Sequence, residues 1–278
     1  MGVIKGATIH INYRSFGYKA VAHMLAFVDP SQAEQAVAYL QKMPEVYSVY
    51  GHGPRGNLDI TISFKSLREL DRIKDSIRNH FSVSEIKTAI WTDVKEMHWN
   101  MSITPDAVKA HKIHSQVLTS KAETLRKVNI DETDRKIADM LAEDGRRPIE
   151  SIAKEAQISV DTARRRYEKL KKNGVLKVTI QFDPTQIGYA ALGVFFAVTS
   201  NATLSSLIDR ISEIPDVISI MKTTGDYDLQ IYALIKDIEQ LLSIQAALAR
   251  IQGLSKIDSE ILPTLKIWPT PRQYISTF

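Results

Sequence analysis

Two stretches decide the fold: residues 58–77, LDITISFKSLRELDRIKDSI, and residues 229–248, LQIYALIKDIEQLLSIQAAL. The first opens on a strand, Leu58 to Phe64, and the second completes a strand that begins at Tyr227 and ends at Ile235. Each then changes period. Leu67, Leu70, Ile73 and Ile77 fall three, three and four residues apart, which puts all four on one helical face. Ile238, Leu241, Ile244 and Leu248 repeat that spacing at an offset of 171. The match spreads outward at the same interval. Gly17-Tyr18 returns as Gly188-Tyr189, Pro44-Glu45-Val46 as Pro215-Asp216-Val217, and Ile86 and Ile90 as Ile257 and Ile261. Only the turn between Val46 and Leu67 breaks register. There Gly56-Asn57-Leu58-Asp59 matches Gly225-Asp226-Tyr227-Asp228 at an offset of 169, so the first copy reads as two residues longer.

A shared pattern implies a shared fold. Each copy starts with an apolar strand, Tyr18 to Val28 or Tyr189 to Val198, rich in types that suit a pleated surface. A helix follows, Ser31 to Lys42 or Thr203 to Ser212. Two hairpin-linked strands come next, Glu45–Tyr50 with Leu58–Phe64 and Asp216–Met221 with Tyr227–Ile235. The second helix leads to a last strand, near Val83 to Val94 or Leu254 to Trp268. The order βαββαβ predicts an α+β class: a ferredoxin-like sheet with both helices on one face. The uncovered face also bears apolar residues, which predicts sheet-to-sheet pairing between the copies or between chains.

The 278 residues carry 36 Lys plus Arg against 32 Asp plus Glu, a net charge of +4, and no cysteine. Zero cysteine excludes disulfides, iron–sulfur clusters, thiolate zinc sites and cysteine nucleophiles, and suits a reducing cytoplasm. No apolar run reaches the ~18 residues a membrane span needs, and Met1 to Gly6 is no signal peptide. The expectation is a soluble, cytoplasmic chain with no membrane partner.

The charge is concentrated between the copies. Asn129 to Val178 reads as three short helices: about Asp131 to Ala142, Pro148 to Ala156 after the Gly145-Arg146-Arg147 break, and Val160 to Lys172. Gln157-Ile158-Ser159 is a three-residue turn, Ser159 caps the third helix, and Asn173-Gly174 ends it. That spacing is a helix-turn-helix, and its second helix is basic. Seven basic and two acidic residues give Ser159–Lys177 a charge of +5 by itself. A helical wheel buries Val160, Ala163, Tyr167 and Leu170. It turns Asp161, Thr162 and Arg165 toward base edges, with Ser159 beside them at the helix start. Arg164, Arg166 and Lys169, with Arg146 and Arg147, are assigned to phosphates of double-stranded DNA.

The run IDETDRKIADMLAEDGRRPIESIAKEAQISVDTARRRYEKLKKNGVLK resembles the helix-turn-helix of the Lrp/AsnC (feast/famine) family. The copy after it, with IGY, IPDV and TGDYD, resembles that family's ligand-binding (RAM-type) domain, and the first copy resembles it more loosely. The resemblance implies a DNA-binding transcriptional regulator that forms homo-oligomers and responds to a small effector, often an amino acid. It implies an effector site at the glycine–aspartate turn where subunits meet: here Thr224, Gly225, Asp226 and Asp228. Three departures stand out. Gln157 occupies the turn position where the family usually has glycine; the first copy has Asn57 in place of an aspartate; and two ligand-type domains share one reading head. Gly2-Val3-Ile4-Lys5 resembles Gly174-Val175-Leu176-Lys177, which implies a tandem ancestor that lost a first head, or a clipped chain.

The expected layout is a RAM-like domain at 1–97, a helical linker at 98–128, the helix-turn-helix at 129–178 and a second RAM-like domain at 179–278. No catalytic group, cofactor or metal is expected. His111 and His114, three apart on the linker, are the nearest thing to a metal pair and have no acidic partner beside them. Two alternatives remain. One is an enzyme similar to the siroheme decarboxylases, which share this fold, with Asn12 and Tyr13-Arg14 as its faint site. The other is an interaction or sensor module whose head no longer binds DNA.

Overall fold

A computed structural model describes residues 2–43, 45–52, 57–96, 129–200, 203–264, 266–269 and 273–275. The linker, with His98, His111 and His114, lies outside the described residues. The first half runs β1 (Ile4–Asn12), β2 (Ala20–Val28), α1 (Ala33–Leu40), β3 (Val46–His52), β4 (Asn57–Phe64), α2 (Leu67–His80) and β5 (Val83–Glu96). Three helices follow: α3 (Glu132–Glu143), α4 (Ile149–Ala156) and α5 (Val160–Lys172). The second half runs β6 (Leu176–Phe182), β7 (Ala191–Thr199), α6 (Leu204–Ser212), β8 (Val217–Thr224), β9 (Leu229–Ile235), α7 (Ile238–Ala249), β10 (Leu254–Pro263) and β11 (Gln273–Ile275). No helix among the described residues is long and apolar enough to cross a membrane.

Eight strands form one sheet in the order β10-β7-β9-β8-β5-β2-β4-β3. Each half of that order is a ferredoxin-like βαββαβ unit. In the first, Met24, Ile60 and Ile62 pack under Leu70, Ile73 and Ile77 of α2; in the second, Phe195, Leu229 and Ile231 pack with Leu207 and Ile211 of α6 and Ile244 and Leu248 of α7. The period-2 strands and period-3.6 helices of the two quoted stretches produce these cores.

Strand pairing corrects the alignment of the copies. Ser48 pairs with Thr61 and Tyr50 with Asp59, while Ser219 pairs with Tyr232 and Met221 with Gln230. Every one of these pairs is related to its counterpart by the offset of 171, so the first copy carries no insertion. Asp59 is the counterpart of Gln230, and Asn57 of Asp228. The Gly-x-x-Asp likeness at 169 is local composition, whereas register is fixed by which residues face the core. Even the bulges coincide, between Val46 and Ser48 and between Val217 and Ser219.

The copies also extend further upstream than the sequence indicates. β1 and β6 pair antiparallel, so β6 begins inside the span assigned to the helix-turn-helix domain, and β11 adds a third strand. Thr8 faces Thr179, its own counterpart at 171, which centres the ribbon on a local two-fold axis. The three-helix head docks on that centre. The Thr8 hydroxyl donates to the Ala142 carbonyl at 2.7 Å and the Gly145 N–H to the Ala7 carbonyl at 2.8 Å. A Cβ at Gly145 would lie 2.7 Å from the Thr8 carbonyl oxygen. Only glycine permits this approach.

The two units join edge to edge. β5 pairs antiparallel with β8, from Ile90 opposite Thr224 to Glu96 opposite Ser219. The faces without helices turn toward one another: the His23 and Phe196 rings lie 6.1 Å apart, and Trp91 Nε1 donates to Gln230 Oε1 at 2.9 Å. The two-fold counterpart of the β5–β8 seam would be β10 with β3. These strands end opposite sides of the sheet order and do not pair.

Candidate nucleic-acid interface

The head is built by local signals the sequence carries. Asp131 and Asp134 form a capping box at the start of α3. Ser159 caps α5 by accepting the Thr162 N–H at 3.2 Å. Between α4 and α5, Gln157 adopts φ 56 and ψ 44, which is left-handed geometry. That geometry costs a non-glycine residue about 1–2 kcal/mol. Ile137, Leu141, Ile152, Ala163 and Leu170 close the core, and it continues into Ile9 and Ile11 of β1.

α5 presents a different face from the wheel in two places. Val160, expected inside, is 37% exposed, because the first residue of the helix projects past the core. Arg166, expected on phosphates, turns inward. Its Nη1 donates to Asp131 Oδ2 at 2.7 Å and to Asp134 Oδ1 at 2.8 Å. Asp134 is wholly buried, so this guanidinium supplies the charge that a buried carboxylate requires. Its hydrogen bonds to Asp134 and Asp131 hold the Arg166 pKa above its ordinary value; the Asp134 backbone N–H, then Arg166, holds Asp131 below the usual carboxylate range. Lys169 shares the role, with Nζ 3.1 Å from the Asn129 carbonyl and 3.5 Å from Asp134 Oδ2. Arg147 is likewise engaged, donating to Ser151 Oγ and pairing with Glu155.

What remains outward is a compact set. Asp161, Arg164, Arg165, Lys171 and Lys172 are exposed, Thr162 is half-buried, and Arg146 is exposed at the α3–α4 link. Lys171 and Lys172 fall outside the expected contacts; the run of charge past Leu170 is the signal that marks them. Ser159 serves as a cap, and its hydroxyl also donates to Thr162 Oγ1 at 2.9 Å.

The glycine–aspartate turn sits at the sealed seam. Thr224 pairs with Ile90 of β5, and Gly225, at positive φ, lies against the Thr88 carbonyl. Thr224, Gly225 and Asp226 are exposed. Asp228 is engaged: its Oδ2 accepts from the Thr199 N–H at 2.7 Å and from Thr199 Oγ1 at 2.9 Å, which fixes the turn to β7. The residues named for the alternative enzyme site are engaged within the fold. Asn12 is buried and accepts the Arg14 N–H at 3.1 Å, Tyr13 is buried, and Arg14 Nη2 donates to the Thr92 carbonyl. No group of three or more metal-ligating side chains occurs among the described residues.

Residues 130–171 match the AsnC-type helix-turn-helix domain, and residues 190–263 match the Lrp/AsnC ligand binding domain. The HTH-type transcriptional regulator FL11 of Pyrococcus horikoshii is 30% identical over 129 residues, covering 46% of this chain and 85% of that regulator. The HTH-type transcriptional regulator LysM of Saccharolobus solfataricus is 32% identical over 141 residues, covering 50% of this chain and 96% of that one. Both likenesses take in about half of this chain. A solved siroheme decarboxylase, NirDL, is similar in fold along 100% of this chain and 80% of its own, with a TM-score of 0.63 and 16% identity. At that identity the likeness is one of fold alone. The reading head, the ligand-binding unit after it and the matched regulators agree: the chain belongs to the Lrp/AsnC family of helix-turn-helix transcriptional regulators.

Proposed function

We propose that this regulator reads duplex DNA through α5, with Thr162 and Arg165 facing base edges, Asp161 flanking them, and Arg164, Lys171, Lys172 and Arg146 on phosphates. Arg166, Lys169 and Arg147 hold the head together instead. The observation that carries the reading is the exposure of Arg164 and Arg165 on a capped helix whose opposite face is buried. The first βαββαβ unit is a diverged ligand-type domain, so one chain is a pseudo-dimer with a single head. Two chains then read a two-fold operator, with heads one helical turn or a multiple of it apart. An effector such as an amino acid binds at the exposed Thr224-Gly225-Asp226 turn, with Asp228 shaping it. The chain acts in the cytoplasm and performs no catalysis.

Fluorescence anisotropy with operator fragments over a salt series tests this. Affinity is expected to fall steeply as salt rises, since phosphate contacts release counterions. Arg164→Ala should weaken all sequences alike and shallow the log–log salt slope by about 1. Arg166→Ala should instead lower the stability of the head by roughly 3 kcal/mol, by stranding the buried Asp134 carboxylate. Salt-insensitive binding, or an Arg164→Ala protein that behaves as wild type, overturns the assignment.

A further inference from the structure

The unpaired seam between β3 and β10 holds a cavity of about 400 Å³. That volume lies within the range of small-molecule sites. Its walls are aromatic: Tyr47, Tyr50, Trp91, Tyr232 and Trp268 all contribute. Among the described lining residues Asp59 is the single carboxylate, and there is no lysine, arginine or histidine.

The offset of 171 between the copies shows how the space arises. At the sealed seam, Lys222 lies opposite Asp93 and pairs with it at 3.5 Å; the counterparts at the open seam are Gly51 and Thr264. Trp91 reaches across to Gln230; the counterparts are Leu262 and Asp59. Every group that closes one seam is therefore replaced at the other by a smaller or uncharged one, except Asp59, which gains a charge. Asp59 is 4% exposed and one oxygen bonds His23 Nε2 at 2.9 Å. Two further polar atoms lack a hydrogen-bond partner among the described residues. Thr264 Oγ1, in the cavity wall, and Glu260 Oε2, on the adjoining β10, are buried without a hydrogen bond. Glu260 and Asp59 both act electrostatically on His23 and on Tyr232. Burial, then the Asp59 charge, pushes the Tyr50 hydroxyl up to about 12, which keeps it neutral.

We propose that this cavity is a binding site for a compact organic cation, an amine or quaternary ammonium whose charge meets Asp59 and whose apolar body lies among the aromatic rings. Ring faces attract cations through their quadrupole, and a water-poor setting strengthens that attraction. Among the lining side chains a carboxylate ligand meets only the Asp59 charge. The site is separate from the Gly225 turn, and it stands whether or not that turn binds an effector.

The test is calorimetric titration of the full chain with three probes of similar shape: phenethylamine, 2-phenylethanol and phenylacetate. Quenching of tryptophan fluorescence reports occupancy independently, because Trp91 and Trp268 line the space. Phenethylamine should bind saturably, about tenfold or more tighter than the alcohol, with phenylacetate weakest. Asp59→Asn should weaken phenethylamine about tenfold. Thr264→Lys leaves the Asp59–His23 pair untouched and replaces a half-buried residue of the cavity wall. It brings a positive charge to that wall and should weaken the amine as well. No saturable phenethylamine binding at millimolar concentration, equal affinity for all three probes, or unchanged affinity in the Thr264→Lys protein each overturns the proposal.

Discussion

The two seams of the sheet begin from equivalent positions and end differently. At β5–β8 a continuous ladder, the Trp91–Gln230 hydrogen bond and the Asp93–Lys222 pair knit the units together. At β3–β10 the equivalent strands stand apart, β10 stops at Pro263, and the space between them is lined by rings around Asp59. Proline carries no N–H and suits a strand that stays at an edge. A symmetric dimer of identical chains cannot make this distinction, because its two seams must be the same. A duplicated chain can, because each copy accumulates its own substitutions. One seam can then hold the two units together while the other stays open.

The largest test of that contrast is a matched pair of truncations. Trp91→Ala should cost about 4 kcal/mol, by emptying a buried site and orphaning Gln230 Oε1. Leu262→Ala, its counterpart, removes a smaller side chain that leaves no polar group stranded and should cost about 2 kcal/mol. Chemical denaturation of both checks this, and equal losses would dissolve the distinction between the seams.

A smaller effect concerns pH. Burial works against the His23 imidazolium, but the Asp59 charge and hydrogen bond, with Glu260, outweigh it and raise His23 above 6.5. A group whose folded pKa is raised stabilises fully below its unfolded value and loses that contribution as pH rises through the folded value. Stability should therefore fall as pH is raised from about 6.5 through the raised value. The double variant His23→Val with Asp59→Gln copies the residues at 194 and 230 into the open side and should flatten the profile. A profile that keeps its slope in the double variant would remove His23 as its source. The smallest effect is expected at the sealed rim, where the pair of Asp93 with Lys222 is partly solvated. There Asp93→Ala should cost only about 0.5 kcal/mol, the scale of an exposed ion pair.

Much of this was legible in the sequence, for particular reasons. The repeat, the element order and the head all rest on periodicity and caps, which act within a few residues: Leu70, Ile73 and Ile77 on the buried face of α2, with Leu67 exposed at its start, and Ser159 before α5. What escaped depends on distant partners. A wheel of α5 sees Arg166 as a flank, whereas Asp131 and Asp134 reach it from α3. His23 and Asp59 lie on the uncovered sheet face, and their meaning emerges only when that face meets Phe196 and Tyr232 of the other copy. The turn alignment failed because glycine and aspartate recur in turns for shape alone, while strand register answers to the core.

The central claim is that α5 reads sequence, and selection of bound DNA fragments by wild type and by Arg165→Ala tests it most directly. Wild type should enrich a two-fold motif, and Arg165→Ala should retain binding while losing preference at one base position in each half-site. No enriched motif with wild type, or an unchanged motif with Arg165→Ala, would contradict it.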